Sequence, residues 1–307
     1  MSSKSLFASL ILFVSQASAI VVSSGTPDNY LSAQTAVGFS NVPSVGLCSG
    51  SLLATGQHFL TAAHCILGYS GAATVTFTNA LGTNFSYTSS SMIAHPSFIQ
   101  GQYLAGNDIA IIRLSQQVDA SINRLSLYTG GGNEQGSEAT LIGYGRTGMG
   151  ATGSVAGTFG TRREGQNVVD TVTSNLLYFD FDNGNAAQST SGGLGLGSRE
   201  VSIAQGDSGG PALINGRIAG INSFITCVGS GGVCVSTIDV DSRLNSTFGE
   251  QFATTRVSNY ITWITQNTGG LSGSFEGVPE PSTYATGLLG LVICLAKARK
   301  IRNGSSS

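Results

Sequence analysis

Gly206-Asp207-Ser208-Gly209-Gly210-Pro211 is the stretch on which the reading of this chain turns. Glycines on both sides of Ser208 let the backbone turn tightly and aim the N–H groups of Gly206 and Ser208 at one spot, where a carbonyl oxygen can be held as its charge grows. A serine presented in this way is a candidate nucleophile, and it needs a base and a group that orients the base. Thr61-Ala62-Ala63-His64-Cys65 supplies the base, because His64 is flanked by small residues and a cysteine that together fix the ring. The chain has three histidines. His58 has no motif around it, and His95 sits before a proline in Ala94-His95-Pro96-Ser97-Phe98, which reads as a loop. Asn107-Asp108-Ile109-Ala110-Ile111-Ile112-Arg113-Leu114 places an aspartate at the mouth of an apolar strand. A carboxylate there is costly unless paired, and a hydrogen bond from an imidazole N–H offsets the cost while fixing the tautomer that accepts the serine proton.

Outward from these motifs the chain reads as all-β. It has 307 residues, 41% of them hydrophobic, and its 43 glycines fall among runs of Ser, Thr and Val broken by turn signals. That pattern favours strands over long helices, and the chain is long enough to bury a sizeable core. The exception is near residue 260, where Val257, Tyr260, Ile261 and Ile264 fall at helical spacing beside Trp263. Net charge is −2, but all three lysines (Lys4, Lys297, Lys300) lie in the terminal segments, so residues 20–276 carry nine arginines against fifteen acids. An acidic, lysine-free body argues against nucleic acid as a partner.

The N-terminal segment has Lys4, an apolar run from Leu6 to Val14 and Ala17-Ser18-Ala19. This is the pattern of a signal peptide, residues 1–19, cut after Ala19, and it predicts export to the periplasm, cell surface or medium. In such a compartment Cys48, Cys65, Cys227 and Cys234 oxidise, which predicts two disulfides and leaves Cys294 as a free thiol. Neither close cysteine pair has zinc-finger spacing, and the histidines do not cluster with them. Asp180-Phe181-Asp182-Asn183-Gly184 starts like a calcium loop but lacks the closing glutamate, so it reads as an ordinary acidic loop. No metal and no cofactor is expected. Residues 145–166 and 182–198 read as long surface loops. Residues 269–278 form a Gly/Ser-rich linker. Residues 279–307 form a tail with an apolar stretch from Tyr284 to Ala296 and a basic end. Thirteen apolar residues in a helix extend about 20 Å, short of a hydrocarbon core of roughly 30 Å, although snorkelling of Lys297 would help.

The three motifs in the order His, Asp, Ser resemble the chymotrypsin/trypsin family, and the likeness extends over nearly all of residues 20–268. It includes Cys48-Ser49-Gly50-Ser51-Leu52-Leu53, Gly143-Tyr144-Gly145, Gly220-Ile221-Asn222-Ser223-Phe224 and the segment from Val257 to Ile264. The resemblance implies two antiparallel Greek-key β-barrels, about 20–127 and 128–268, with the site between them and a C-terminal helix outside. It implies a serine endopeptidase acting on proteins or peptides through an acyl-enzyme, with His64, Asp108 and Ser208 as the catalytic residues and Gly206 and Ser208 as the oxyanion hole. It further implies a Cys48–Cys65 disulfide worth about 3 kcal/mol, and support of Asp108 by Ser223.

By the same likeness, signal peptidase would free Ile20 to pair with Asp207 and so switch the enzyme on. Ser202 would form the base of the primary pocket, with Ser223, Phe224 and Ile225 along its wall. An uncharged base and a bulky Ile225 predict small or medium apolar side chains before the scissile bond. Val278-Pro279-Glu280-Pro281-Ser282-Thr283, together with the apolar stretch and basic end behind it, resembles the PEP-CTERM sorting signal. That implies membrane retention through the tail and recognition by an exosortase. A non-catalytic homologue acting as a surface binding protein, or an esterase, are the alternatives.

Overall fold

The structure is a computed structural model and describes residues 20–270 except 44 and 232. The signal peptide, the tail, Cys294 and most of the linker lie outside the described residues. The first half of the chain closes a six-stranded barrel. Its strands are β2 (Val37–Val42), β3 (Gly46–Leu52), β4 (His58–Thr61), β5 (Thr74–Thr78), β6 (Asn84–Ala94) and β7 (Ala110–Leu114), after a short β1 (Ile20–Val22). They hydrogen-bond around the ring in the order β2-β3-β4-β7-β6-β5, every pair antiparallel. In β7 only Arg113 is exposed, while Ala110, Ile111, Ile112 and Leu114 are buried, so this apolar run is a core strand. Phe59 and Phe77 meet edge to face at 5.7 Å inside the barrel, a favoured arrangement for ring quadrupoles.

The second half forms a seven-stranded curved sheet, a half-barrel. In chain order it supplies β8 (Glu138–Gly143), β9 (Thr147–Met149), β10 (Gly153–Ser154), β11 (Arg163–Val168), β12 (Thr171–Val172), β13 (Leu176–Phe181), β14 (Val201–Ser202), β15 (Pro211–Ile214) and β16 (Arg217–Cys227). A small hairpin, β17 (Gly229–Ser230) and β18 (Val233–Cys234), and then β19 (Glu250–Arg256) complete the strands. The large sheet runs β11-β8-β15-β16-β19-β13-β12, and β1 crosses over to lie between β9 and β14 in a separate four-stranded sheet. The expectation of a second barrel is met in this more open form, because the edge strands β11 and β12 are not paired with each other. Phe179 and Phe252 stack face to face at 4.7 Å beneath the sheet.

The predicted helix is present as a turn of 3-10 helix (Val257–Tyr260) running into α1 (Ile261–Asn267). Val257, Tyr260 and Ile264 are buried in the first barrel's core, which ties the end of the chain back to its beginning. Both predicted disulfides are formed, Cys48–Cys65 and Cys227–Cys234. Among the described residues no helix is long and apolar enough to cross a membrane.

Candidate active site

His64 sits in a one-turn 3-10 helix (Ala63–Cys65) at the end of β4. Asp108 lies just before β7 and is wholly buried, while the His64 side chain is 17% exposed. Two bonds join them: the His64 backbone N–H donates to Asp108 Oδ1 at 2.9 Å, and Nδ1–H donates to Oδ2 at 2.7 Å. The carboxylate therefore fixes both the turn and the ring, and it leaves Nε2 as the nitrogen able to accept a proton. Ser223 Oγ donates to the same Oδ2 at 2.5 Å, so the buried charge is shared by three donors. The ladder between β16 and β19 slips at this residue, between Asn222 and Phe224, and such a bulge re-aims a side chain out of the pleat.

Asp108 is also held from behind. Thr255 Oγ1 donates to its carbonyl at 3.0 Å. Asn107 stands at φ 66°, the left-handed region that Asn tolerates, and its N–H donates to Tyr260 Oη at 3.0 Å. Tyr260 in turn packs edge-on against His95 at 5.1 Å, so the predicted loop histidine is a packing residue under the helix.

Ser208 is half-buried. Its carbonyl accepts the Ser49 N–H at 2.8 Å. Gly209 follows at φ 83°, and a Cβ there would stand 2.1 Å from Thr61 Oγ1, two residues before Ala63, so only glycine fits. Among the described residues the N–H groups of Gly206 and Ser208 have no acceptor. Ser49 also donates from Oγ to the Gly206 carbonyl at 2.8 Å and accepts the Tyr144 N–H at 2.9 Å, which makes it the joint between the two halves of the chain.

Asp207 is fully buried, and its carboxylate accepts N–H bonds from Gly145 at 2.8 Å and Ala204 at 2.9 Å. A Cβ on Gly143 would stand 2.0 Å from Asp207 Oδ1, which explains the glycines of the 143–145 motif. Burial pushes the Asp207 carboxyl up to about 7, opposed by these two N–H groups, by the Ile20 N–H and by the Arg163 charge. Ile20, also fully buried, thus has its backbone nitrogen at the carboxylate expected to pair with it. Its φ of 66° is costly for a β-branched residue inside a chain.

Ser202 is buried in β14 opposite Val21, and its hydroxyl donates to the Ile203 carbonyl at 3.3 Å. Ile225 packs on the apolar cluster that contains Ile203, Val201 and Phe252. Phe224 lies between Tyr103 at 6.0 Å and Tyr178 at 6.4 Å, and Tyr103 meets the His64 ring edge-on at 5.8 Å. No sequence motif marks Tyr103, Tyr178 or the function of Ser49. Cys48, His64 and Cys65 come close together, but the cysteines are joined to each other, so the trio is no metal site.

A closed barrel and a half-barrel that carry a Ser, a His and an Asp on loops where they meet define the trypsin-like double-barrel fold. The Trypsin family model matches residues 22–242, and the chain belongs to that family as a serine endopeptidase. Trypsin Blo t 3 of Blomia tropicalis is 30% identical over 230 residues, covering 71% of this chain and 75% of the relative. Chymotrypsin-like elastase family member 1 of Bos taurus is 28% identical over 230 residues, covering 71% and 77%. Among solved structures, neuropsin, a serine protease expressed in the limbic system of mouse brain, superposes with a TM-score of 0.56 at 18% identity, over 76% of this chain and 95% of that one.

Proposed function

We propose that this chain is an exported endopeptidase that cleaves peptide bonds with Ser208 as nucleophile, His64 as general base and Asp108 as the residue that orients it. The observation that carries the reading is the double hydrogen bond from His64 to a wholly buried Asp108, with the Ser208 carbonyl oxygen 3.8 Å from Sγ of Cys65, the residue after His64. Ser208 Oγ attacks the carbonyl carbon while His64 Nε2 takes its proton, and the N–H groups of Gly206 and Ser208 receive the negative oxygen. The protonated imidazole then gives that proton to the departing amine, leaving an acyl-enzyme. Water repeats the sequence and releases the acid.

Activation follows from removal of residues 1–19. Cleavage after Ala19 creates an α-ammonium on Ile20 beside Asp207, and it abolishes the strained φ because the preceding carbonyl is gone. The ion pair so formed keeps Asp207 ionised and holds the Gly206–Ser208 turn. Ile225, packed on the apolar cluster that contains Ile203, and the uncharged Ser202 favour small or medium apolar side chains before the scissile bond. The tail beyond residue 278, which resembles a PEP-CTERM signal, holds the exported protein at the membrane until an exosortase acts on it. Casein and a simple ester, each assayed with the wild type and with Ser208→Ala as blank, test the chemistry. Loss of at least about 10⁴-fold in turnover is expected for the variant, and equal turnover rejects the mechanism.

A further inference from the structure

Asp180 and Asp182, at the end of β13, and Glu200, just before β14, form a second cluster of titratable groups away from His64. They are at most 1% exposed, and one oxygen from each lies within 4.8 Å of the others. Among the described residues no ion pair includes any of the three. The residue 183–199 loop answers part of this charge with backbone and hydroxyl donors. Asp180 Oδ2 accepts the N–H groups of Thr190 and Ser191, both at 3.2 Å, and the Ser191 hydroxyl at 2.7 Å. Asp182 Oδ1 accepts the Gly184 N–H at 2.6 Å, and Glu200 accepts those of Leu196 at 2.9 Å and Asp182 at 3.1 Å.

Other oxygens remain without a donor. Asp180 Oδ1 and Asp182 Oδ2 are shielded from solvent and unpaired, and so are Gln188 Oε1 and Thr190 Oγ1 of the same loop. Four of the nine such oxygens among the described residues therefore fall between residues 180 and 190. Each shielded acceptor left unpaired costs about 1–3 kcal/mol, and more when it is charged. An ordinary acidic loop avoids that cost by facing water. The glutamate missing from the Asp180–Gly184 motif is supplied by the fold, because Glu200 arrives from the far end of the loop.

We propose that Asp180, Asp182 and Glu200 bind a calcium ion, with other loop oxygens and water completing its shell. The donor set is all oxygen and rich in carboxylates, and it is built on an irregular loop, which suits a large hard cation and offers nothing to a soft one. Binding would brace more than the loop. The Glu200 carbonyl accepts the Ser23 N–H at 3.1 Å, and the next two residues, Val201 and Ser202, pair with Val22 and Val21. The ion would thus clamp the strand that receives the N-terminal segment.

The test uses the exported protein stripped with EGTA and titrated with calcium chloride, with magnesium chloride as control. Melting temperature and heat of binding are followed. A saturable heat is expected, with a Tm rise of roughly 5–10 °C when free calcium stands at 100 times its dissociation constant. Asp180→Asn and Asp182→Asn each retain the oxygen that is hydrogen-bonded and put an amide in place of the unpaired one. Both remove repulsion, so each calcium-free variant should melt at or above the wild type while binding calcium at least about tenfold more weakly. Absence of heat and of a Tm shift at about 10 mM calcium, roughly ten times the weak end of the extracellular range, overturns the proposal in favour of a cluster neutralised by protons. A calcium response that survives unchanged in both variants overturns it too, since the ion then binds elsewhere. Neither readout depends on peptide hydrolysis, so the site stands or falls apart from the catalytic reading.

Discussion

Replacing Ser49 by alanine removes one oxygen from the joint between the barrels and leaves the main chain intact. The Ser49 N–H still donates to the Ser208 carbonyl, but Ser49 Oγ no longer donates to the Gly206 carbonyl or accepts the Tyr144 N–H. Two buried backbone groups are then orphaned, and Ser49 itself is 0% exposed, so bulk water does not reach them. At about 1–3 kcal/mol each, and with some relaxation, the loss is about 2–4 kcal/mol, or a fall in Tm of roughly 5–15 °C. The Ser49 Oγ–Gly206 carbonyl bond anchors the turn whose N–H groups are proposed to receive the substrate oxygen. Complete loss of one oxyanion donor costs roughly 10²–10³ in kcat, so a displaced donor should cost less, roughly 10- to 100-fold, with KM nearly unchanged. Thermal melting and steady-state kinetics on a chromogenic peptide measure both numbers. A variant that loses the stability but keeps its kcat would show that the turn is held independently of Ser49. One that loses neither would refute the buried joint altogether.

Other perturbations probe the rest of the site and its supports. Ser223→Ala removes a hydrogen bond to a buried charge, so kcat should fall by roughly tenfold or more, and a profile of kcat against pH should change shape as the field on His64 changes; an unchanged profile argues for a purely structural serine. Chains that keep residues before Ile20 lack the ion pair to Asp207, whose loss is worth about 3–5 kcal/mol, and should be at least about 100-fold less active than chains starting at Ile20; N-terminal sequencing of the active species checks the start site. Glu250 accepts N–H groups from Asn245, Ser246 and Thr247, yet burial pushes its carboxyl up to about 7. Because the folded value exceeds the unfolded one, this stability is complete below about pH 4.5 and disappears as pH rises through 7; Tm measured in EGTA should therefore fall between pH 5 and pH 8, and a rise would contradict the sign. Ile225→Gly should raise kcat/KM for substrates with Phe before the scissile bond by at least about tenfold relative to Ala, as a peptide panel would reveal; no change would mean that Ile225 does not limit the pocket.

The parts of this molecule that are legible in its sequence are those written in local chemistry. Ser208 stands out because a turn at Gly209 has to be glycine, and Asp108 because an apolar strand follows it. The helix near Tyr260 shows in its spacing. Partnerships across the chain leave weaker traces. Gly143 and Gly145 are visible as a motif, but their reason, room for Asp207, appears only when β8 lies beside the 206–208 turn. Ser49 looks like one small residue among several, since its bonds reach to Tyr144 and Gly206. Tyr103 and Tyr178 carry no signal because aromatic residues in loops and strands are usually core. The Asp180–Gly184 motif looks incomplete for a similar reason: its missing carboxylate, Glu200, is distant in sequence and near in space.

Activation of Ser208 by His64 is the step on which the proposed chemistry depends most. Labelling of the purified protein with a fluorophosphonate, followed by peptide mapping, tests it directly. Modification of Ser208 alone is predicted in the wild type, slowed by at least about 10³-fold in His64→Ala. A label on another residue, or equally fast labelling of the His64 variant, would contradict the claim.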